Sequence, residues 1–187
     1  MVLITLWEIA QLVIVSAVLG YIFMSPNTAK PKTVYDMMYP KVFDWKDLWF
    51  AILVATPGVV FHELAHKFVA MAYGLNAEFH MWTFGLALGI ILKLIHSPLL
   101  IIAPGYVSIP FFTDEIGYRL IAFAGPAVNL VLWITSMIIL RTAKHLTRKQ
   151  TIALGMLKYM NMILFFFNML PFGPLDGAKV LFGPNGL

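Results

Sequence analysis

The chain contains no cysteine. Neither a disulfide framework nor a thiolate metal site can form, and redox compartment is not legible from cysteine usage. Charge is scarce as well. Only 12% of the residues are Asp, Glu, Lys or Arg, against roughly a quarter in an ordinary soluble domain. The basic residues gather in loops and do not interleave with aromatics, so no nucleic-acid partner is expected. The first apolar segment lacks a basic leading region and a small-residue cleavage site. It reads as a retained span and not as a signal peptide. Internal repeats and low-complexity tracts are also missing.

What the chain has instead is apolar surface. Hydrophobic residues make up 60% and aromatics 14%. Several runs reach the roughly 20 residues needed to cross a bilayer. Residues 3–24 form the first, interrupted mainly by Glu8 and Gln11. Residues 25–47 are a polar, proline-containing loop. The second run covers 50–73 and ends before Gly74 and Asn76, which terminate helices readily. The third covers 116–140, a basic loop follows at 141–150, and the fourth covers 151–170. Between 77 and 112 the sequence is apolar but broken by Lys93, His96, Pro98, Pro104 and Pro110. It reads as a short helix or strand followed by a strand and turn. Beyond 170, "PFGPLDGAKVLFGPNGL" holds too many prolines and glycines for one long helix.

The expected fold is therefore a mainly α polytopic membrane protein. It has about four transmembrane helices, a non-crossing re-entrant or strand segment, and a broken helix near the end. Residues 1–24 form an accessory N-terminal transmembrane helix, 25–47 a polar loop, and 48–187 a membrane-embedded core.

The chemistry concentrates in "FHELAHKFVA", residues 61–70. On a helix, His62 and His66 share one face, one turn apart. Two imidazoles in that arrangement can share a zinc ion. Glu63 lies on the adjacent face, within reach of a water at the metal, as in metalloproteases with the His-Glu-x-x-His pattern. A chance match is the plainer alternative. It is costly here, because ionisable side chains in an apolar span usually mark function.

A catalytic zinc normally takes three protein ligands and a water. Glu8, His80, His96, Asp114, Glu115 and Asp176 are the candidates for the third. Asp176 is set apart by its place in "NMLPFGPLDG", directly after a span, on backbone that Pro171, Pro174 and Gly177 keep irregular. Irregular backbone at membrane depth is tolerated where it is buried or lines a cavity. An ordinary turn residue is the alternative.

"HELAH", "AGPAVN" and "NMLPFGPLDG", in that order, resemble the site-2 proteases, the intramembrane zinc metalloproteases. The resemblance covers roughly residues 50–180. It implies one zinc ion per chain, held by His62, His66 and Asp176, with Glu63 as catalytic base. It further implies Asn168 near the substrate or the oxyanion, and Asn129 at a position similar to one the family uses. For both asparagines the alternative is helix packing through interhelical hydrogen bonds. The implied activity is that of a zinc metalloendopeptidase, cutting a peptide bond in or near a transmembrane segment. Its partners would be transmembrane protein substrates and membrane lipid. "IIAPGYVSIP" is similar to the family's membrane-embedded strand, which could hold an unwound substrate; a plain connector is the alternative. The segment between "HELAH" and "AGPAVN" is rather long for the family, and the chain ends soon after Asp176, as a minimal or truncated member would.

A shared site constrains topology. The histidines lie toward the end of one span and Asp176 beyond the end of another, so both spans run in one direction. The span between them runs the other way, and residues 77–112 make no net crossing. Orientation draws two opposed arguments. Lys30, Lys32, Lys41 and Lys46, with Arg141, Lys144, Arg148 and Lys149, place their loops in the cytoplasm by charge bias. The family resemblance implies the reverse, a cell-membrane protein whose site lies nearer the cytoplasm, and we follow it. A non-catalytic zinc-binding membrane protein is the rival reading of the same residues.

Overall fold

In a computed structural model, residues 3–24, 44–97 and 104–184 are described. Within them the chain runs through α1 (Leu6–Phe23), α2 (Trp45–Ala72), β1 (Glu78–Met81), α3 (Thr83–Leu94), β2 (Gly105–Ser108), α4 (Glu115–Thr142), α5 (Arg148–Asn168) and α6 (Asp176–Phe182). Among the described residues, α1, α2, α4 and α5 are long and apolar enough to cross a membrane. Most of the polar loop at 25–47, and residues 101–103 of the expected strand, lie outside the described residues.

Side-chain caps set where several helices begin. Thr5 and Glu8 form a capping box before α1, and Thr147 and Gln150 form one before α5. Each satisfies backbone donors that the first helical turn leaves free. Asp44 accepts from the Lys46 N–H at 2.8 Å and starts α2 several residues ahead of its apolar run. Gly74, at φ +79°, takes the chain out of α2. That left-handed conformation suits a residue without a Cβ.

The outer surfaces of the long helices are apolar. Trp7, Leu53 and Ile116 are each 71% exposed, an arrangement that suits lipid and not water. Inside, α4 turns a stripe of mostly small residues toward its neighbours: Gly117, Ala122, Gly125 and Pro126 are all buried. Small residues let helix backbones approach closely where no hydrophobic effect drives them together.

The segment between α2 and α4 returns to the side it left. With 12 residues, α3 is about 18 Å long, well short of the ~30 Å hydrocarbon core. β1 and β2 pair antiparallel, with Glu78 opposite Ser108 and Met81 opposite Gly105. The entry and exit of the segment are thus neighbours, and the non-crossing expectation holds. Phe79 and Leu86 from this segment pack with Val15 and Leu19 of α1 and Val59 of α2.

Candidate metal centre

α2 presents His62 and His66 one turn apart, both buried. α6 begins at Asp176, after the turns that follow α5. The break in the helix is what lets the chain turn back: at Gly177, a Cβ would lie 2.3 Å from the Met169 backbone carbonyl. Only glycine lets the start of α6 press against the end of α5 in this way. Arg119 of α4 secures the other end of α6, donating to the carbonyls of Val180 at 2.9 Å and Leu181 at 3.0 Å.

The three groups meet. His62 Nε2 is 3.1 Å from Asp176 Oδ2, His66 Nε2 is 3.2 Å from it, and the two Nε2 atoms are 3.1 Å apart. His62, His66 and Asp176 form a group that could hold a metal ion. The spacing tests the fit. Bonds of about 2.0–2.1 Å in tetrahedral geometry put neighbouring ligand atoms about 3.3 Å apart, close to the observed triangle.

The outer nitrogens give a second test. The Asn129 amide nitrogen donates to Gly58 O at 3.0 Å and to Asn161 Oδ1 at 2.8 Å. Its oxygen therefore faces His62 Nδ1, which must donate to it. His66 Nδ1 donates to the Ile121 carbonyl at 2.7 Å. With a proton on each Nδ1, both Nε2 atoms turn lone pairs toward Asp176. Three electron-rich atoms at this spacing repel unless a cation lies among them. This outer hydrogen bonding is the usual device for aiming metal-binding imidazoles.

Asp176 turns its Oδ2 toward both imidazoles. Its other oxygen lies 3.5 Å from the Lys179 ammonium.

Glu63 is buried next to His62 and lines the same cavity of about 580 Å³ as the three candidate ligands. Asn168 is also on its wall, together with Gly105, Val107 and Ile109 around β2. Asn129 is elsewhere. It is fully buried behind His62 and is not among the residues that line the cavity. The other candidates for a third ligand lie apart from the centre. Glu8 bonds to Lys67 and β1, His80 is beside Ser108, Asp114 caps α4, and Glu115 pairs with Arg119.

Gly125 had not been singled out from the sequence. A Cβ there would lie 2.3 Å from His66 Nε2 and 2.6 Å from His62 Nε2. The glycine of "AGPAVN" keeps open the space that the metal group needs. Asn161 was missed too. A single amide in an apolar span was its only signal.

No family model and no solved structure matches the chain. Curated proteins do. It is 34% identical over 176 residues to a Methanocaldococcus jannaschii protein provisionally named zinc metalloprotease MJ0611, covering 93% of this chain and 83% of that protein. It is 32% identical to the similarly named sll0528 of Synechocystis, over 69% of this chain and 29% of that one. Against zinc metalloprotease Rip3 of Mycobacterium tuberculosis, also a provisional name, it is 31% identical over 76% of this chain and 33% of the relative.

Proposed function

The chain belongs to the site-2 protease family of zinc metalloproteases, and on that footing we propose that it hydrolyses a peptide bond within or near a transmembrane segment of another membrane protein. One observation carries the reading. His62, His66 and Asp176 meet beside Glu63 in a cavity among helices of membrane-spanning length.

The residues take the following roles. His62, His66 and Asp176 hold one zinc ion. When bound, zinc polarises the scissile carbonyl and lowers the pKa of a water to about 7. A Glu63 carboxylate oxygen removes the proton of the attacking water and delivers it to the leaving amine nitrogen. Asn129 and the Ile121 carbonyl keep the imidazoles in the binding tautomer. Asn168 offers its amide N–H groups to the carbonyl oxygen on which charge develops.

A helical substrate hides its peptide bonds, so it must unwind at the site. The exposed edge of β2 accepts the unwound stretch as an additional strand. The substrates are transmembrane proteins, and lipid covers the exposed apolar side chains. The protein resides in the cell membrane with its metal centre nearer the cytoplasm.

The test is zinc content together with cleavage of a single-span substrate, wild type against Glu63→Gln. Wild type should cleave, and the variant should keep zinc and lose cleavage. A wild-type chain that binds zinc and cleaves nothing supports the non-catalytic zinc-binding reading instead.

A further inference from the structure

α1 carries polar groups that a lipid-facing helix does not need. Glu8 is 3% exposed and Gln11 is 4% exposed. Three residues apart, they share a face, and that face meets β1. The Phe79 N–H donates to Glu8 Oε1 at 2.8 Å, and the Met81 N–H donates to Gln11 Oε1 at 2.5 Å. Amides two residues apart point to one edge of a strand. Here it is the edge that β2 does not occupy. α1 therefore fills the place of a third strand, with side-chain oxygens replacing carbonyls.

The same carboxylate reaches further. Glu8 Oε1 also accepts from the Lys67 ammonium, and Lys67 directly follows His66 on α2. Glu8 Oε2 accepts from the Thr5 N–H and hydroxyl at 2.8 and 3.1 Å. One side chain thus joins the helix of the metal centre to the strand. At the far end of α1, the Lys93 ammonium of α3 donates to the carbonyls of Met24, at 2.8 Å, and Tyr21. α1 and the β1–α3 segment are tied at both ends.

We propose that Glu8 and Gln11 are positioning residues that select the bond cut. They close the inner edge of β1, so that a substrate strand can add only at the outer edge of β2. Glu8 also ties that strand to Lys67, next to His66 on α2. The proposal rests on the strand-bound substrate of the reading above. Apolar side chains at these positions would leave two amides of β1 without acceptors and the sheet free to shift. A sheet that shifts by one strand period carries the substrate two residues past the metal centre.

The experiment compares two neutralised variants of the full chain, zinc-loaded in vesicles with a single-span substrate. Glu8→Gln with Lys67→Met removes the ion pair but keeps an acceptor for Phe79. Glu8→Leu with Lys67→Met and Gln11→Leu removes both acceptors. Cleavage positions are read by mass spectrometry, zinc per chain is measured, and deuterium exchange is followed at residues 78–82. Wild type and the first variant should cut at one bond. The second should keep its zinc, exchange the Phe79 and Met81 amides faster, and cut at several bonds, with kcat/KM lower by about tenfold.

A second variant that cuts only the wild-type bond overturns the proposal, since a merely supporting role would change yield but not position. If it loads no zinc, Gln11→Leu alone, which leaves the ion pair in place, is read by the same criterion. Zinc-loaded wild type that leaves the substrate whole defeats the intramembrane-protease reading itself, and this proposal with it.

Discussion

Asn129 Oδ1 accepts a hydrogen bond from His62 Nδ1, and the Asn129 amide nitrogen is already committed to Gly58 O and Asn161 Oδ1. The amide cannot turn over without losing both bonds, so it holds the imidazole in one tautomer. Asn129→Leu should weaken zinc binding by about 10–100-fold, the usual cost of removing an outer partner of a metal ligand. Competition with a graded chelator measures this. Unchanged affinity would show that the tautomer is set by something else.

Gly125 faces both imidazoles at a distance no side chain allows. Gly125→Ala should prevent stoichiometric zinc binding and abolish hydrolysis, while circular dichroism reports an unchanged helix content. Retention of a full zinc complement would mean that the metal lies elsewhere.

Asp176 and Glu115 make a discriminating pair. The first meets the histidines and the second pairs with Arg119. Asp176→Ala should lose zinc, whereas Glu115→Ala should keep it. The reverse pattern in metal analysis would transfer the third ligand to Glu115.

Arg119 holds the last carbonyls of α6, the helix that starts with Asp176. Hydrogen bonds to a charged group contribute about 1.5–3 kcal/mol. Arg119→Gln should therefore lower both thermal stability and zinc affinity, and Arg119→Lys should recover part of each. A chain whose zinc affinity is indifferent to Arg119→Gln does not depend on this anchor.

Because the chain has no cysteine, a single introduced thiol reports its own side of the membrane. With the metal centre nearer the cytoplasm, Lys144→Cys should react with an impermeant maleimide added to intact cells, and Asn76→Cys should not. The opposite result would agree with the charge bias of the loops and reverse the proposed orientation.

The parts of the candidate metal centre were legible because each is local, although Asp176 lies 110 positions from His66. The turn that aligns His62 with His66 is a property of one helix, and the break before Asp176 is written in prolines and glycines. Span ends were less legible. Hydropathy tracks what lipid covers, whereas α1, α2 and α5 start where Thr5, Asp44 and Thr147 cap them. β1 is four residues long, too short for periodicity to declare it, and exists because β2 and α1 supply partners from elsewhere. Asn129 could be found as a polar residue in a span, but nothing local indicated that it would back His62 and not face the cavity. Glu8 was legible only as an oddity, since its partners Lys67 and Phe79 lie 59 and 71 positions away.

That separation has a consequence for how the protein is made. α1 is synthesised with a carboxylate in its first turn whose ammonium partner arrives only with α2. A charge near the end of a span can reach the membrane interface, so a lone α1 can leave Glu8 solvated. The buried ion pair therefore belongs to the assembled helices and not to the first one alone.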